Sequence, residues 1–416
     1  MTRKTLISLL ITLLVSSCGQ GSSTPGNKLV RVGLLHSRSG TMALSENTVA
    51  EAERLAIEDI NASGGLRLNG QRVLIQPIEE DGMSDPDTFA QQAEELLDEH
   101  QVVAIFGGWT SASRKAMLPV LETRDALLFY PVQYEGQECS PQVVYGGSVP
   151  NQQSEPALSW MLANRSKRVL LIGSDYIYPR TANRIMRAQV QREGGTVLDE
   201  RYIPFGSAAV QPLVDSIRQA SASGPVVVVN TLNGDSNLAF FEQLYRNGLI
   251  GAQAVDRGVS LLSLSVSEEE ALAIGPKKIS GTYASWSYFQ SLDEESSKSF
   301  AQRFRRRYGF HRVVNDPAEA AYSLVHLWAR AVERAGSTNP QDVRQQLIGT
   351  SYAAPGGLVT ITPSQHLNQR SLLGQADDTG NFQVVKDFGV IEPEPWNPDH
   401  PDSAGQHCAH GSGTPL

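Results

Sequence analysis

The sequence holds little cysteine, no excess of basic charge and few long apolar runs. Three cysteines in 416 residues are too few for a disulfide-stapled scaffold or a four-cysteine zinc site. Basic residues number 35 against 44 acidic ones, a net charge of −9, which argues against a nucleic-acid-binding surface. Past the first 17 residues, no apolar run is long enough to span a bilayer. These absences leave an acidic protein whose length predicts two or three domains.

The first 17 residues have the composition of an export signal. Arg3 and Lys4 precede a short apolar stretch, which is typical of a signal peptide and too short for a membrane span. Small residues then lead to Cys18, as in a bacterial lipoprotein cleavage box. We therefore expect residues 1–17 to be removed and Cys18 to be lipidated, with 18–28 as a flexible tether. This predicts a membrane-anchored protein of the periplasm or cell surface; a plain secretory signal and a buried N-terminal helix are the alternatives.

Short apolar runs alternate with longer amphipathic segments along most of the chain. Runs typical of buried strands lie at 30–35, 73–79, 102–106, 127–130, 169–172 and 226–229. Segments with helical spacing of apolar residues lie between many of these runs, which predicts βαβ units and parallel sheets. The rhythm restarts after a polar stretch at 149–155. The pattern therefore predicts an α/β protein with two similar lobes.

Four segments that follow predicted strands are rich in polar and aromatic residues. They read GGWTSAS at 107–113, PVQYE at 131–135, SDYIYPR at 174–180 and NTLNGDS at 230–236. Ligands of open parallel sheets bind beyond the carboxyl ends of the strands, where such segments gather. Flat rings, hydroxyls and amides suit a small, polar, neutral ligand, and no phosphate-loop motif occurs at these turns.

Each of these residues taken alone also has an ordinary structural explanation. Helix N-caps are the commonest role for such residues at these places, and this reading fits Ser111, Ser113, Asp235 and Ser236. The aromatic residues could pack inside loops, and Asn233 with Gly234 could form a tight turn. Four polar-aromatic segments at one sheet edge favour a ligand site over coincidence.

Four longer motifs that contain these segments, together with a fifth near the end of the chain, resemble the urea and short-chain amide substrate-binding proteins of ABC transporters. They read GGWTSASRKAMLPVLE, LLFYPVQYEGQECSP, SDYIYPRTANRI, NTLNGDSNLAFF and EPEPWNP. The resemblance runs from about residue 29 to 398. It implies an α/β type I periplasmic-binding-protein fold with two doubly wound parallel-sheet lobes joined by three crossover segments. The stretch 365–374 departs from the family, whose urea binders usually carry a tryptophan, a lysine and a proline there.

The resemblance also implies domain boundaries. The first lobe would comprise 29–147 plus 285–352, and the second 151–281 plus 356–390. Residues 391–416 would form a C-terminal tail.

The family's mode of action implies that the two lobes close on urea or a short-chain amide and that ABC permease subunits receive it. The residues expected to line the site are Trp109, Thr110, Ser111, Tyr130, Val132 and Gln133 in the first lobe, and Tyr176, Thr231 and Asp235 in the second. Gln133 would discriminate, because its amide offers urea both a donor and an acceptor. We expect no catalytic residue, cofactor, metal or nucleic-acid partner.

Three other functions stay open at this point. A branched-chain amino-acid binder shares the fold and would need a carboxylate for the ligand's ammonium group, for which Asp235 and Glu268 are candidates. An amide-sensing receptor would use the same clamp to inform a membrane sensor. An amidase could use Cys139 as a nucleophile, but no histidine is paired with it by any sequence pattern.

The last residues contain a small cluster of possible metal ligands. His400, His407, Cys408 and His410 match no standard zinc spacing, and the glycine, serine and proline around them predict disorder. Cys139 could pair with Cys408 in an oxidising compartment, but a disordered tail would not favour that bond, and we do not predict it.

Overall fold

The computed structural model describes residues 28–251 and 258–408, in which the chain forms two α/β lobes, each built on its own sheet. Cys18 and the predicted signal peptide lie outside the described residues. Within these ranges, no helix combines the length and the apolar character needed to cross a membrane.

The first lobe contains a six-stranded sheet in the order β2-β3-β1-β4-β5-β6. Its strands are β1 (Lys28–His36), β2 (Leu66–Leu68), β3 (Gln71–Asp81), β4 (Ile105–Gly107), β5 (Leu128–Tyr130) and β6 (Val143–Tyr145). Its helices are α1 (Ala43–Ala62), α2 (Pro86–Asp98), α3 (Ser111–Arg124), α10 (Glu295–Tyr308), α11 (Asp316–Ala335) and α12 (Pro340–Leu347). All strand pairs are parallel except β2 with β3, so the carboxyl ends of β1, β4 and β5 share one edge.

The second lobe contains a nine-stranded sheet in the order β12-β13-β14-β11-β10-β9-β7-β8, with β15 paired to β14. Its strands are β7 (Arg168–Ser174), β8 (Thr196–Ile203), β9 (Val226–Thr231), β10 (Val259–Ser263), β11 (Tyr283–Trp286), β12 (Ser351–Ala354), β13 (Gly357–Ile361), β14 (Leu367–Ala376) and β15 (Phe382–Ile391). Its helices are α4 (Ser154–Asn164), α5 (Ile177–Arg192), α6 (Gln211–Ser221), α7 (Ser236–Arg246), α8 (Glu268–Ile274) and α9 (Pro276–Ile279). The predicted two-lobe α/β fold is confirmed, and antiparallel strands β12 to β15 extend the parallel part.

The chain passes between the two sheets three times: after β6, after β11 and before β12. Two carboxylates at the start of α11 hold the last two passages. Asp316 accepts hydrogen bonds from the backbone N–H groups of Ser287 at 2.8 Å and Tyr288 at 2.9 Å. Glu319 accepts one from the backbone N–H of Gly356 at 2.9 Å. The lobes are therefore joined by backbone segments that buried side chains position. The sequence-derived lobe boundaries stay predictions.

The expectation of a disordered tail is wrong for residues 392–408, which run back across the molecule. The Gln137 backbone N–H donates to the Pro395 carbonyl at 2.7 Å, and the Ser403 hydroxyl donates to the Gln137 side chain at 2.6 Å. Cys139 forms a disulfide with Cys408, their Cα atoms 5.6 Å apart. Polar composition suggested disorder, but these bonds anchor the segment, which we call the strap, to the loop after β5.

Candidate functional site

The two lobes meet where the carboxyl ends of their parallel strands face each other. The first lobe contributes the loops after β4 and β5, and the second contributes those after β7, β9 and β10. Several hydrogen bonds join the two lobes here, one of them to the loop after β1. Gln133 Nε2 donates to the Leu264 carbonyl at 2.9 Å, and Trp109 Nε1 donates to Asn233 Oδ1 at 3.4 Å. The backbone N–H of Asp235 donates to Thr41 Oγ1 at 3.1 Å. The described structure is thus a closed clamp, and we call the space between its walls the cleft.

Aromatic and apolar side chains form the base of the first-lobe wall. Trp109, Tyr130, Val132 and Tyr134 are all buried and belong to one cluster. The Tyr130 hydroxyl donates to the Trp109 backbone carbonyl, which fixes the ring against the loop after β4. The predicted first-lobe residues Trp109, Tyr130 and Val132 therefore lie together.

The loop after β4 places one hydroxyl in a helix cap and another in the site. Thr110 is the N-cap of α3, and its hydroxyl accepts a hydrogen bond from the Ser113 backbone N–H at 3.0 Å. Ser111 lies one residue further on and donates to Glu135 Oε2 at 2.5 Å. The capping role considered for Ser111 thus belongs to Thr110, and Ser111 joins the loops after β4 and β5.

Arg114 is a buried cation at the centre of the first-lobe wall. Its Nε donates to Glu138 Oε1 at 2.8 Å, and its Nη1 donates to Ser111 Oγ at 3.2 Å. The guanidinium carbon lies 4.8 Å from the centre of the Tyr130 ring and 4.4 Å from that of the Tyr134 ring. Such a charge is tolerable in the interior only because these partners neutralise and solvate it.

Glu135 and Glu138 lie three residues apart, yet their pKa values shift in opposite directions. Burial would raise the pKa of Glu138, but Arg114 and Lys115, whose Nζ lies 2.7 Å from Glu138 Oε2, lower it to about 2. Burial raises the pKa of Glu135, because Arg114 approaches it only to 3.8 Å and no lysine contacts it. Glu138 is thus the structural counter-ion, and Glu135 keeps an oxygen that the protein leaves without a hydrogen bond.

On the second-lobe wall, the aromatic residues after β7 face the first lobe. Tyr176 packs against Phe205, their ring centres 5.3 Å apart, and burial with neighbouring Tyr178 raises its pKa. Burial also raises the pKa of Tyr178, and the side chains of Ser265 and Gln133 lie beside its hydroxyl. The predicted Tyr176 and the unpredicted Tyr178 therefore both belong to the cleft.

Two predicted second-lobe residues are placed differently. The Thr231 hydroxyl is buried and donates to the Ile172 carbonyl at 2.8 Å, so its hydrogen is engaged within the lobe. The Asp235 side chain is exposed at the start of α7 and caps no backbone N–H there. Glu268, the other carboxylate considered for an ammonium group, is buried; its Oε1 accepts from the Gln290 backbone N–H at 2.8 Å and its Oε2 has no hydrogen-bond partner. We leave Asp235 out of the site because it is exposed, and Glu268 because its neighbours are Gln290, Asp316 and Glu270 and not the first-lobe wall.

Three polar atoms around the cleft are buried and form no hydrogen bond of good geometry within the described residues: Gln133 Oε1, Glu135 Oε1 and the Tyr178 hydroxyl oxygen. The side chains of Gln133 and Ser265 lie beside the Tyr178 hydroxyl, and Arg114 Nη2 lies 3.8 Å from Glu135 Oε1. Leaving a buried polar atom unpaired costs about 1–3 kcal/mol, so such atoms in one place indicate a missing partner. Two are obligatory acceptors and the third can accept, and together they are complementary to a ligand with several N–H donors.

The sequence missed Glu135, Arg114 and Tyr178 as site residues. All three lie within the quoted motifs, and a charged residue inside an aromatic loop was the available signal. The enzymatic reading of Cys139 is wrong, because that cysteine is in a disulfide and offers no thiol. His400 Nδ1 accepts from the Asp402 backbone N–H at 3.3 Å, as a turn residue does.

The fold and cleft define a protein that encloses a small molecule between two lobes. Residues 30–402 match the family described as periplasmic binding protein domain, and the chain belongs to this family. It is a solute-binding protein and not an enzyme.

Relatives agree on the family and differ in what their names say they bind. Leu/Ile/Val-binding protein homolog 6 of Brucella melitensis is 23% identical over 360 residues, covering 84% of this chain and 89% of that protein. A solute-binding protein of an R. palustris ABC transporter, solved with 4-hydroxybenzoate, has a TM-score of 0.76 and 21% identity, covering 89% of this chain and 98% of that one.

One relative has an enzyme's name but matches only locally. Limonene hydroxylase of Geobacillus stearothermophilus is 31% identical over 125 residues, which are 30% of this chain. The chain spans 23% of that protein's length, so the match carries no activity over to this chain.

Proposed function

We propose that this protein captures urea or a short-chain amide in the cleft and delivers it to the permease of an ABC importer. The carrying observation is the set of unpaired atoms Gln133 Oε1, Glu135 Oε1 and the Tyr178 hydroxyl oxygen. Urea is planar and neutral and has four N–H donors, so it can supply a partner to each. Trp109 and Tyr130 form flat walls, and the backbone N–H of Ser111 in the first turn of α3 is the candidate donor for the ligand's carbonyl oxygen, because the Ser111 hydroxyl already donates to Glu135.

The closed clamp fits the small size of the ligand. A best-case limit of about −1.5 kcal/mol per heavy atom allows urea roughly −6 kcal/mol, or a Kd of tens of micromolar. Affinity near that limit requires almost complete enclosure. The hydrogen bond from Gln133 to Leu264 at 2.9 Å fits such an enclosed ligand, because this bond joins the two lobes in the closed clamp.

Gln133 therefore acts differently from the sequence-based expectation. Its Nε2 is engaged with the second lobe, which leaves only its Oε1 for the ligand. An alkyl group facing that oxygen, as in acetamide, would leave it unpaired, so urea is favoured over acetamide. The departure from the urea binders at 365–374 lies behind the site, where Gln365 Nε2 donates to the Val143 carbonyl at 2.8 Å.

Glu135 also supports a second candidate function, that of a branched-chain amino-acid binder. Its free oxygen could accept from an ammonium group, and the Brucella melitensis relative is named for leucine, isoleucine and valine. Such a ligand also needs a partner for its carboxylate, and the Arg114 guanidinium is already engaged by Glu138 and Ser111. Urea makes no such demand. An amide-sensing receptor would use the same cleft.

Calorimetric titration with urea, acetamide, formamide and leucine tests the proposal. We expect urea to bind most tightly and Gln133→Leu to weaken urea more than acetamide, by roughly tenfold or more. Asp235→Asn is the matched control, because this exposed side chain lies near the cleft without facing it, and it should leave both affinities unchanged. Binding of leucine without urea would contradict the urea assignment and favour the second candidate.

Export and anchoring are part of the proposal. A lipidated Cys18 would hold the clamp near the permease at the outer face of the membrane. Metabolic labelling with palmitate should mark the wild type and leave Cys18→Ser unlabelled in the soluble fraction. An unlabelled wild-type protein would remove the anchor and leave the binding proposal intact.

A further inference from the structure

A second concave region lies on the first lobe at the end of the sheet opposite the cleft. An open cavity of ≈ 450 Å³ lies between the end of α1, the β2–β3 hairpin and the middle of α11. Arg67 and Arg330 connect it to a neighbouring hollow of ≈ 760 Å³ beside Thr350. Its charged lining consists of Arg67, Arg72, Arg303, Arg330 and Arg334 against Asp59 and Glu333. Five guanidinium groups and two carboxylates thus face each other in a protein of net charge −9.

Four of these arginines have no carboxylate within ion-pair distance in the described part of the chain. Arg303 is paired with Asp59, and the other four, Arg67, Arg72, Arg330 and Arg334, form no ion pair. Exposed arginines elsewhere on the surface do form such pairs, for example Arg307 with Glu58 at 2.9 Å. The cavity therefore concentrates positive charge, because these four arginines face one remaining carboxylate, Glu333, whose Oε1 accepts from the Arg67 backbone N–H at 2.9 Å.

Backbone and hydroxyl groups hold three of the four in place. Arg72 Nη1 donates to the Gly65 carbonyl at 2.8 Å, and Arg330 Nη1 donates to the Ser351 carbonyl at 2.8 Å. Arg334 Nη1 donates to Thr350 Oγ1 at 2.7 Å. Each bond uses one N–H of the guanidinium and leaves the others for a ligand. Holding the side chains in advance lowers the entropy cost of binding.

A neutral histidine lies under the arginines. The His326 ring stacks on Tyr352, their centres 4.6 Å apart with a 9° angle between the planes. Its Nε2 is buried and has no hydrogen-bond partner. Burial and the nearby charges of Arg330 and Arg303 lower the pKa of His326 to about 4. Because the neighbouring arginine charges also lower the pKa of His326, an anion that enters the cavity should raise that pKa.

We propose that this cavity is a binding site for a phosphate-class oxyanion. Planar guanidinium forks match the oxygen geometry of phosphate and can bind it bidentately. The site is independent of the cleft, because it lies at the amino end of the first sheet. The ligand is a free or esterified phosphate, or the headgroup of an anionic phospholipid.

The position of Lys28 bears on whether a phospholipid headgroup is the ligand. Lys28, the first described residue, pairs with Val73, which in turn pairs with Leu66 at the cavity. Lys28 thus lies at the same edge of the lobe as the arginines. If Cys18 carries the anchor, this face stays within about 35 Å of the membrane, the reach of ten extended residues.

Two binding measurements on the full mature chain separate the sources. Inorganic phosphate is titrated calorimetrically at about 0.15 M salt, and unanchored protein (Cys18→Ser) is sedimented with phosphatidylcholine vesicles with and without phosphatidylglycerol. The double variant Arg67→Gln/Arg330→Gln should weaken binding about tenfold or more in whichever of the two assays detects it. Arg306→Gln is the matched control, because this exposed arginine lies outside the cavity, and it should change neither.

An NMR titration of the His326 ring gives a readout that mere surface charge would not give. Phosphate should raise the His326 pKa in the wild type and have no effect in the double variant. If the double variant loses phosphate binding in calorimetry, the ligand is a free or esterified phosphate. If it loses binding only to vesicles that contain phosphatidylglycerol, the ligand is the lipid headgroup. Equal behaviour of the double variant and the control, or no binding in either assay, overturns the proposal. The urea affinity of every variant should stay at the wild-type value.

Discussion

The two walls of the cleft differ in how their polar groups are held. The first-lobe wall is charged, and the Arg114, Glu135 and Glu138 side chains are connected to each other and to Ser111. The buried part of the second-lobe wall offers the Leu264 carbonyl, hydroxyl groups and aromatic rings, and the carboxylates of its loops, Asp175 and Asp235, are exposed. One wall is a fixed electrostatic framework and the other is a neutral cover.

This difference suggests a division of roles between binding and closure. The charged wall is internally paired before any ligand arrives, so its geometry costs nothing when the ligand binds. In the described part of the chain no ion pair joins the neutral wall to the charged one, so the lobes can open and close by exchanging a few hydrogen bonds with water. The strap reinforces the contrast, because the Cys139–Cys408 disulfide fixes the loop of the charged wall from behind.

Removal of the central cation should break the charged wall and have the largest effect. Arg114→Met leaves Glu135 and Glu138 buried without their common partner, which we expect to lower the unfolding free energy by about 3–5 kcal/mol. Differential scanning calorimetry measures the loss. Lys115→Met is the control, because Lys115 is 38% exposed and its pair should contribute less than about 1 kcal/mol. Equal losses of unfolding free energy in Arg114→Met and Lys115→Met would contradict the central role of Arg114 in the charged wall.

Acid should weaken the charged wall at the pH set by Glu138. Its folded pKa of about 2 lies below the ordinary 4.5, so its stabilisation is complete above pH 4.5 and disappears as the pH falls toward 2. At 1.36 kcal/mol per pKa unit, the contribution reaches about 3 kcal/mol. Unfolding measurements between these pH values should show a smaller decrease in Glu138→Gln. An identical decrease would exclude Glu138 as the cause.

The smallest effect on stability is expected from the neutral wall. Tyr178→Phe removes a buried hydroxyl that forms no hydrogen bond of good geometry, although the Ser265 and Gln133 side chains lie beside it, so the stability of the unliganded protein should change by no more than about 1 kcal/mol. Urea affinity should decrease about three- to tenfold, because one acceptor for the ligand disappears. A destabilised protein with unchanged urea affinity would assign Tyr178 to packing alone.

Much of the fold was predictable, because βαβ units have strong local signals. The apolar run at 226–229 became β9, and the run at 169–172 became part of β7. Strand β14 was not predicted, since its pairing with β11 and β15 depends on distant segments. The disulfide between Cys139 and Cys408 joins residues 269 positions apart, and no local pattern carries that information.

The site was predictable as a location and less so in its details. Trp109, Ser111, Tyr130 and Gln133 lie where the motifs suggested, because the carboxyl ends of parallel strands must meet. Which other side chains face the cleft depends on their charge and burial in the folded protein. Asp235 was chosen for its carboxylate, yet it is exposed, whereas Glu135 is buried on the first-lobe wall beside Ser111 and has one oxygen without a hydrogen bond. Sequence shows that a carboxylate is present but not which one faces the ligand.

The central claim is that Glu135 on the charged wall accepts an N–H of a small neutral ligand. Calorimetric titration of urea against wild type and Glu135→Gln tests it most directly, since glutamine preserves the shape and removes the charge. We predict a roughly tenfold to hundredfold loss of urea affinity, the range for a hydrogen bond to a charged group. Wild-type urea affinity in Glu135→Gln would contradict the account.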